Sequence, residues 1–361
     1  MRAHNFGAGP CTLPLSVLEE VQAEFVDFAG TGMSLIELSH RSPEYEAVHE
    51  EALSLAREIA AAPDDFEVLF IQGGATLQFA MVALNLLDSQ HEAGYVVSGS
   101  WGARAMEDAG PHGRVYAAWD GADAGYSTMP DPDEIRLRPA SRYLHVTSNE
   151  TIGGIRMVHF PDLGVPLVGD MSSDYLARPI AWDLFDVVYG GVQKNLAPAG
   201  MAVVYVRRAA LSEPRADLGS FLRYAWHAET RSLGHTPPMF PIYLMGKVLA
   251  MMKAVGGVEA LAKASAEKAG VLYDVIDGSE GFYRNPVALE VRSHMNVVFR
   301  LPAPELEARF VKEATAQGMI GLKGHRSVGG CRASLYAALP MSSVEALAAF
   351  MVEFASRNRT D

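Results

Sequence analysis

Short runs of consecutive apolar residues alternate with helical patterns along the first two thirds of the chain. After Ser42-Pro43, a capping residue followed by proline, apolar side chains recur every three or four positions from Tyr45 to Ile59, as on one buried face of a helix. The apolar runs typical of buried strands cover residues 68–71, 95–97, 143–146, 165–168, 186–189 and 202–206. Such strands interleaved with helices predict an α/β fold with a mostly parallel sheet covered on both faces.

The pattern changes after about Gly256. A helical pattern leads to a strand at 296–300, a glycine-rich stretch at 318–330, a strand at 332–337 and a last amphipathic helix, which together predict a smaller α+β domain. Gly256-Gly257 is open to two interpretations, a hinge between domains or the C-cap of a helix. We expect an N-terminal segment at 1–16 that packs with the small domain, a large domain at 17–255 and the small domain at 256–361.

The chain of 361 residues has a formal net charge of −13, from 30 Lys and Arg against 43 Asp and Glu. This balance argues against binding to nucleic acid or to an anionic membrane surface, although a local arginine cluster can still hold an anionic substrate. Cys11 and Cys331 are too few for a disulfide framework or a cysteine-rich metal site, so no metal is expected. Because the sequence shows no signal-peptide core and no run approaching the roughly 20 apolar residues of a membrane span, we expect a cytoplasmic protein.

An acid and a lysine stand just beyond two of the predicted strands, 24 positions apart. The run at 165–168 ends at Asp170, and the run at 186–189 leads through two glycines to Lys194. A pyridoxal phosphate enzyme needs this pair, since a lysine holds the aldehyde of the cofactor as a Schiff base and a carboxylate keeps the ring nitrogen protonated. A surface lysine and a turn aspartate are the alternatives, but burial between strands would lower the pKa of the amine and favour this chemistry. We interpret Lys194 and Asp170 as catalytic residues.

Three other features lie just beyond predicted strand ends, where open α/β sheets bind ligands. Gly73-Gly74-Ala75-Thr76 joins a strand to an apolar helix, and backbone amides at such a helix start hold phosphate groups. Trp101 could stack on a flat ring or belong to the core. Thr151 could contact a ligand or be an ordinary turn residue. Their shared placement favours one site at this edge of the sheet.

Histidine–arginine pairs stand out in this acidic chain, at His40-Arg41 and His325-Arg326, with Arg332 close to the second pair. Arginine holds carboxylates and phosphates through two parallel hydrogen bonds. Each pair alone is more often part of a solvated surface. Together, beside the glycines that precede Arg332, they indicate an anion-binding pocket.

Sequence blocks along nearly the whole chain match one family. The most specific are GDMSSDYLARPI, QKNLAPAG and GHRSVGGCRASLY, and others include GAGPCTLP, SHRSPEY, FIQGGATLQF, SGSWGARA, SNETIGG and HTPPMFPIYL. On these blocks the chain resembles the phosphoserine aminotransferase family, a class V group of the fold-type I pyridoxal phosphate enzymes. The resemblance implies a large domain with a seven-stranded type of sheet, a smaller C-terminal α+β domain, and a homodimer with its sites at the subunit interface.

The resemblance also implies a role for each matching residue. Lys194 would hold the cofactor covalently, Asp170 would pair with its ring nitrogen, Trp101 would stack on its ring and Thr151 would contact its phenolic oxygen. The contacts to the cofactor phosphate would come from Ala75, Thr76 and Gln193 and, from the other subunit, His235 and Thr236. Arg332 would hold the α-carboxylate of the substrate. The distal anion of the substrate would be held by His40, Arg41, His325 and Arg326.

Two positions depart from the family pattern. His235 stands where the family usually has asparagine, and its imidazole can still donate one hydrogen bond to a phosphate. Thr76 stands where some members carry an arginine for the substrate phosphate. The histidine–arginine pairs are then left to neutralise the substrate.

The activity implied is the transfer of the amino group of L-glutamate to 3-phosphohydroxypyruvate, which gives O-phospho-L-serine and 2-oxoglutarate. Whether the enzyme also acts in vitamin B6 biosynthesis stays open. Rival interpretations are another class V activity, such as alanine–glyoxylate or serine–pyruvate transamination, and a non-catalytic module that binds a cofactor or a sugar phosphate. A cysteine desulfurase is disfavoured because neither cysteine lies in an evident catalytic loop, and an NAD-binding fold because its glycine fingerprint is absent.

Overall fold

The computed structural model describes residues 2–211 and 217–359. The helices in these ranges are α1 (Leu15–Glu24), α2 (Pro43–Ile59), α3 (Gly74–Leu86), α4 (Ser100–Ala109), α5 (Tyr224–Glu229), α6 (Met239–Ala254), α7 (Gly257–Asp277), α8 (Pro304–Ala316) and α9 (Met341–Asn358). The strands are β1 (His4–Asn5), β2 (Phe66–Gln72), β3 (Glu92–Val97), β4 (Arg114–Asp120), β5 (Ser141–Thr147), β6 (Asn149–Glu150), β7 (Ile155–Arg156), β8 (Leu167–Asp170), β9 (Phe185–Gly191), β10 (Met201–Arg207), β11 (Asn296–Phe299), β12 (Met319–Ile320) and β13 (Cys331–Ser334).

One seven-stranded sheet organises the larger part of the molecule, with the order β2-β10-β9-β8-β5-β3-β4. β10 runs antiparallel to both of its neighbours, and the other neighbouring pairs are parallel. Alternate residues of the strands enter two apolar cores on opposite faces, as Phe70 and Ile71 of β2 do. The predicted α/β fold with a mostly parallel sheet is confirmed. The edge strand β4 was not among the predicted strands, and the reversed direction of β10 was not predicted.

The helix predicted after Ser42-Pro43 is confirmed as α2. The Ser42 side chain accepts a hydrogen bond from the amide of Tyr45 at 3.3 Å, and Pro43 occupies the first helical position, where its missing N–H costs nothing. Its buried face includes Tyr45, Ala52 and Ile59. This face packs with α6 into the core on one side of the sheet.

A separate apolar core lies in the C-terminal part, among α7, α8, α9, β11 and β13. Phe6, near the N-terminus, belongs to this second core, and β1 pairs with β12 in parallel. Val258 and Leu261, in the first turns of α7, belong instead to the core of the large sheet. Gly256, with a φ of +104°, caps the start of α7, where the chain turns by 83° from α6. The domain boundaries at 16 and 255 stay predictions.

Among the residues that the structure describes, no single helix is long and apolar enough to cross a membrane, and only α6 and α7 taken together as a bent pair pass that test.

Candidate active site

A cavity of about 270 Å³ lies at the edge of the sheet where β5, β8 and β9 end. Parallel strands bring residues that follow them to one edge, so side chains distant in the sequence meet there. The sequence-predicted residues that line this cavity are Ala75, Thr76, Trp101, Thr151, Asp170, Gln193, Lys194, His325 and Arg332.

Lys194 lies in the turn after β9, with its side chain buried in the cavity wall. Its Nζ donates a hydrogen bond to Thr151 Oγ1 at 2.5 Å and lies 5.3 Å from the ring centroid of Trp101. Burial lowers the pKa of Lys194 to about 8, against the opposing charges of Asp170 and Glu150. A substantial fraction of the amine is therefore neutral, and so nucleophilic, near neutral pH.

Asp170 is the last residue of β8 and is also buried. Its Oδ1 accepts hydrogen bonds from the Ser172 amide at 2.9 Å and from Ser172 Oγ at 2.6 Å. Burial raises the pKa of Asp170, while the bonds from Ser172 and the positive charge of Lys194 lower it. A carboxylate held in this way can stabilise a positive charge in the cavity.

The first turn of α3 forms another part of the wall. Gly73 and Gly74 have φ values of +110° and +68°, a conformation that glycine adopts without strain, and the Gly73 amide donates to the Gly200 carbonyl at 2.9 Å. Ala75 and Thr76 follow directly, in the turn whose N–H groups have no partners within a helix. Free amides at the start of a helix can bind an anion such as a phosphate.

Several polar atoms of the cavity residues are buried without a hydrogen-bond partner in the described part of the chain. They are Trp101 Nε1, Thr147 Oγ1, Gln193 Oε1 and Arg332 Nε. Arg332 also donates through a terminal nitrogen to the Thr151 carbonyl at 3.2 Å. Because buried polar atoms are normally paired, these atoms indicate that the cavity is built to receive a polar ligand.

Five of the predicted site residues do not line this cavity. Arg41, Thr236 and Arg326 are exposed, and His40 and His235 are half-buried elsewhere. His235 packs against Phe221, Trp226 and His227, with both ring nitrogens unpaired among the described residues. Burial first, and then the charge of His40, lower the pKa of His235.

Other residues line the cavity that the sequence did not single out. They include Ala8, Gly9, Phe79, Thr147, Asn149, Ile152, Ser172 and Ser173. Gly9 has a φ of +134°, and a Cβ at this position would lie 3.4 Å from Lys194 Cγ, so the N-terminal segment packs on the stem of the lysine. Gly9 lies in the block GAGPCTLP and Asn149 in the block SNETIGG, whereas none of the blocks contains Thr147.

Comparison with known proteins identifies the family of this chain. The family described as Aminotransferase class-V matches residues 3–347. The phosphoserine aminotransferase of Dichelobacter nodosus is 50% identical over 357 residues, which cover 99% of both chains. A solved phosphoserine aminotransferase from Bacillus circulans subsp. alkalophilus superposes with a TM-score of 0.97 at 48% identity, covering 99% of both chains.

A less similar solved structure is that of the phosphoserine aminotransferase from Trichomonas vaginalis bound to PLP, which is pyridoxal phosphate. It superposes with a TM-score of 0.93 at 34% identity, covering 97% of this chain and 100% of that one. The agreement in fold and in sequence thus extends over essentially the full length of each relative. The chain belongs to the class V aminotransferases, within the phosphoserine aminotransferase family.

Proposed function

We propose that this chain is a phosphoserine aminotransferase, which uses pyridoxal phosphate to transfer the amino group of L-glutamate to 3-phosphohydroxypyruvate. The products are O-phospho-L-serine and 2-oxoglutarate. The observation that carries the proposal is that Lys194 and Asp170 line one cavity, in a chain 50% identical over 99% of its length to a phosphoserine aminotransferase.

The residues present fit pyridoxal phosphate. A buried lysine of lowered pKa is suited to hold its aldehyde carbon, and the Asp170 carboxylate is suited to face its ring nitrogen. Trp101 offers an aromatic face to the ring, and the first turn of α3 with Gln193 offers partners for the phosphate. Thr151, which lines the same cavity, is assigned to the phenolic oxygen. When bound, the cofactor supplies an electron sink for the negative charge that develops at the substrate Cα.

The chain itself supplies proton transfer and charge. With the cofactor bound, the Lys194 amine would remove the proton from the substrate Cα, since its lowered pKa leaves a larger fraction of it neutral near physiological pH than in an ordinary lysine. Thr151, at 2.5 Å from Nζ, holds the amine in place. Asp170 stabilises the positive charge on the ring nitrogen, which makes the ring a better acceptor of electrons.

Substrate anions are assigned to the cationic side chains. Arg332, fixed by its bond to the Thr151 carbonyl, is placed to hold the α-carboxylate. His325, which lines the cavity, and the neighbouring Arg326 are assigned to the distal anion, the phosphate of phosphoserine or the second carboxylate of glutamate.

A homodimer would account for four of the five site residues that lie outside this cavity, all except Arg326. We propose that His235 and Thr236 reach the cofactor phosphate of a second copy, and that His40 and Arg41 reach its substrate. The electrostatic effect of His40 on the pKa of His235 supports this grouping. The cytoplasmic location and a role in vitamin B6 biosynthesis stay predictions.

The proposal is tested by absorbance spectroscopy of the purified protein. The cofactor gives a visible band that L-glutamate should bleach and 3-phosphohydroxypyruvate should restore, and Lys194→Ala should lack the stable band. If alanine bleaches the band and glyoxylate restores it, while glutamate and the phosphorylated acid do not act, the chain is a different class V transaminase. Absence of any band after incubation with pyridoxal phosphate would exclude this cofactor.

A further inference from the structure

Glu150 is a buried acid next to the cavity that the proposed mechanism does not use. It is the last residue of β6, directly before Thr151, and its side chain is fully buried. Buried carboxyl groups are costly unless hydrogen bonds compensate for the lost hydration. Its contacts therefore indicate what the residue does.

Both carboxylate oxygens of Glu150 accept hydrogen bonds from the start of α4. Oε2 accepts from the amide of Trp101 at 3.0 Å, and Oε1 accepts from the amide of Gly102 at 2.7 Å. These amides lie in the first helical turn, where no intrahelical partner exists, and Gly99 before the helix provides no side-chain cap. A residue about 50 positions away thus caps the helix, and its negative charge also suits the positive end of the helix dipole.

Glycines on both sides of Trp101 leave the room that the carboxylate needs. A Cβ on Gly99 would lie 2.7 Å from Glu150 Cδ, and one on Gly102 would lie 2.9 Å from the Val96 carbonyl oxygen and 3.4 Å from Glu150 Oε1. The φ of Gly99 is 167°, which any residue adopts, so space and not backbone conformation requires glycine there. The order Gly-Ser-Trp-Gly and the buried acid are parts of one arrangement.

Trp101 depends on this arrangement for its position. Its indole Nε1 is buried and has no hydrogen-bond partner in the described part of the chain. The backbone amide bonded to Glu150 is therefore the polar anchor of the residue whose ring lines the cavity 5.3 Å from Lys194 Nζ.

We propose that Glu150 is a positioning residue of the active site, whose carboxylate fixes the first turn of α4 and so holds Trp101 against the bound cofactor. Glu150 acts through Trp101, and it does not touch the reacting atoms. The inference rests on the proposed function, since the ligand that Trp101 meets is the ring of pyridoxal phosphate.

An alternative role for Glu150 is electrostatic. Its pKa is raised to about 7 by burial, against the two amide bonds, and the charges of Asp170 and Lys194 act on it as well. An electrostatic role would act on Lys194 directly and would not need Trp101. The two roles therefore make different predictions when Trp101 is absent.

The test is a double-mutant cycle on the affinity for pyridoxal phosphate, measured by titrating the apoenzyme and following tryptophan fluorescence and visible absorbance. Glu150→Gln keeps the volume but turns an N–H donor toward one of the two amides. We expect it to raise the Kd for the cofactor about tenfold, which is the effect of losing one buried hydrogen bond to a charged group. Trp101→Ala should raise the Kd as well. The double variant should match Trp101→Ala alone, because Glu150 then has no indole to position.

Two further variants keep the test decisive. Gly99→Ala presses a methyl group on the same carboxylate from the helix side, so it should also raise the Kd, and this effect too should vanish without Trp101. Ser279→Ala removes buried hydrogen bonds in the second core, to Ile276 and Tyr283, and should lower the Tm without changing the Kd.

An undiminished effect of Glu150→Gln in the Trp101→Ala background, or an unchanged Kd in Glu150→Gln, would overturn the inference. Failure of the unmodified protein to bind pyridoxal phosphate would instead refute the proposed function, and the inference with it. The two failures are distinguishable in the first titration.

Discussion

Lys194 shows how burial prepares one side chain for chemistry. Its amine is enclosed between the turn after β9, Thr151 and Trp101, and the loss of hydration there disfavours the charged form. The acids near it, Asp170 and Glu150, oppose this effect, so the pKa of the amine falls only to about 8.

A pH dependence of cofactor attachment follows. Only the neutral amine attacks an aldehyde, so in the apoenzyme the rate constant for attachment of pyridoxal phosphate should rise with pH. It should reach half its maximum at a pH of about 8, because the pKa of Lys194 is lowered to about 8 from the value of 10.5 that is usual for lysine. Asp170→Asn removes a charge that raises this pKa, and should move the midpoint to lower pH. Stopped-flow absorbance measures the rate, with Nα-acetyl-lysine as the reference amine. A midpoint near that of the free amine would contradict the burial argument.

Single residues also show where sequence reasoning ends. Asp170 and Lys194 could be predicted because each follows a buried strand, and the topology of parallel sheets brings such positions to one edge. Glu150 could not, since the amides that it binds belong to a helix almost 50 positions earlier and no spacing marks the pair. Its place before Thr151 resembles an ordinary turn.

Among the structural elements, the loop at 324–330 is held by two side chains from outside the loop. Arg300, which follows β11, donates to the Val328 carbonyl and lies 3.7 Å from Glu307 of α8. Glu307 in turn accepts from the Gly330 amide at 3.1 Å. A Cβ on Gly329 or on Gly330 would lie 2.8 Å from the Arg300 side chain, so the loop lies directly on the guanidinium. This loop carries His325 and Arg326.

Loosening this loop should affect the substrate more than the cofactor. We expect Arg300→Met, which keeps the stem and removes the guanidinium, to raise the KM for 3-phosphohydroxypyruvate about tenfold while the Kd for pyridoxal phosphate stays constant. Steady-state kinetics and the cofactor titration measure the two effects. Arg309→Met is the matched control, because Arg309 is an exposed arginine of α8 paired with Glu313. Equal KM values for both variants would show that the support is dispensable.

The strands show which features of the fold can be predicted from the sequence. The buried strands could be located from their apolar runs. The direction of a strand in the sheet could not, because β10 is as apolar as β9 although it runs the opposite way. Its reversal arises from the short connection after Lys194, which turns the chain back beside β9 and pairs Met201 with Gln72. β4 was not among the predicted strands, although Val115 to Trp119 form an apolar run; it lies at the sheet edge, where Arg114 and Asp120 are exposed.

At the scale of the whole molecule, the segment from α1 to the start of α2 has an unusually apolar surface. Large apolar side chains that are 44–79% exposed lie at Leu15, Phe25, Val26, Met33 and Ile36. Single exposed apolar residues are common, whereas a contiguous exposed apolar patch is typical of an interaction surface. The same segment leads directly into His40 and Arg41, which supports placing the second copy against it.

This proposal predicts that charge in the segment separates the subunits and weakens the site together. Val26→Glu combined with Ile36→Glu should convert a dimer to a monomer in analytical ultracentrifugation, and should raise the Kd for pyridoxal phosphate as His235 and Thr236 of the second copy are lost. Val352→Glu is the control, since Val352 is 58% exposed on α9, outside this segment. A protein that is monomeric without any substitution would refute the dimer.

The pairing of β1 with β12 joins segments that are synthesised far apart in time. Met319 is synthesised more than 300 residues after its partner His4. At about 5–20 residues per second, the wait is roughly a quarter of a minute to a minute. During that interval Gly9 lacks the strand pairing that anchors its segment beside Lys194. The N-terminal segment that packs on Lys194 is therefore among the last parts of the fold to be completed during synthesis.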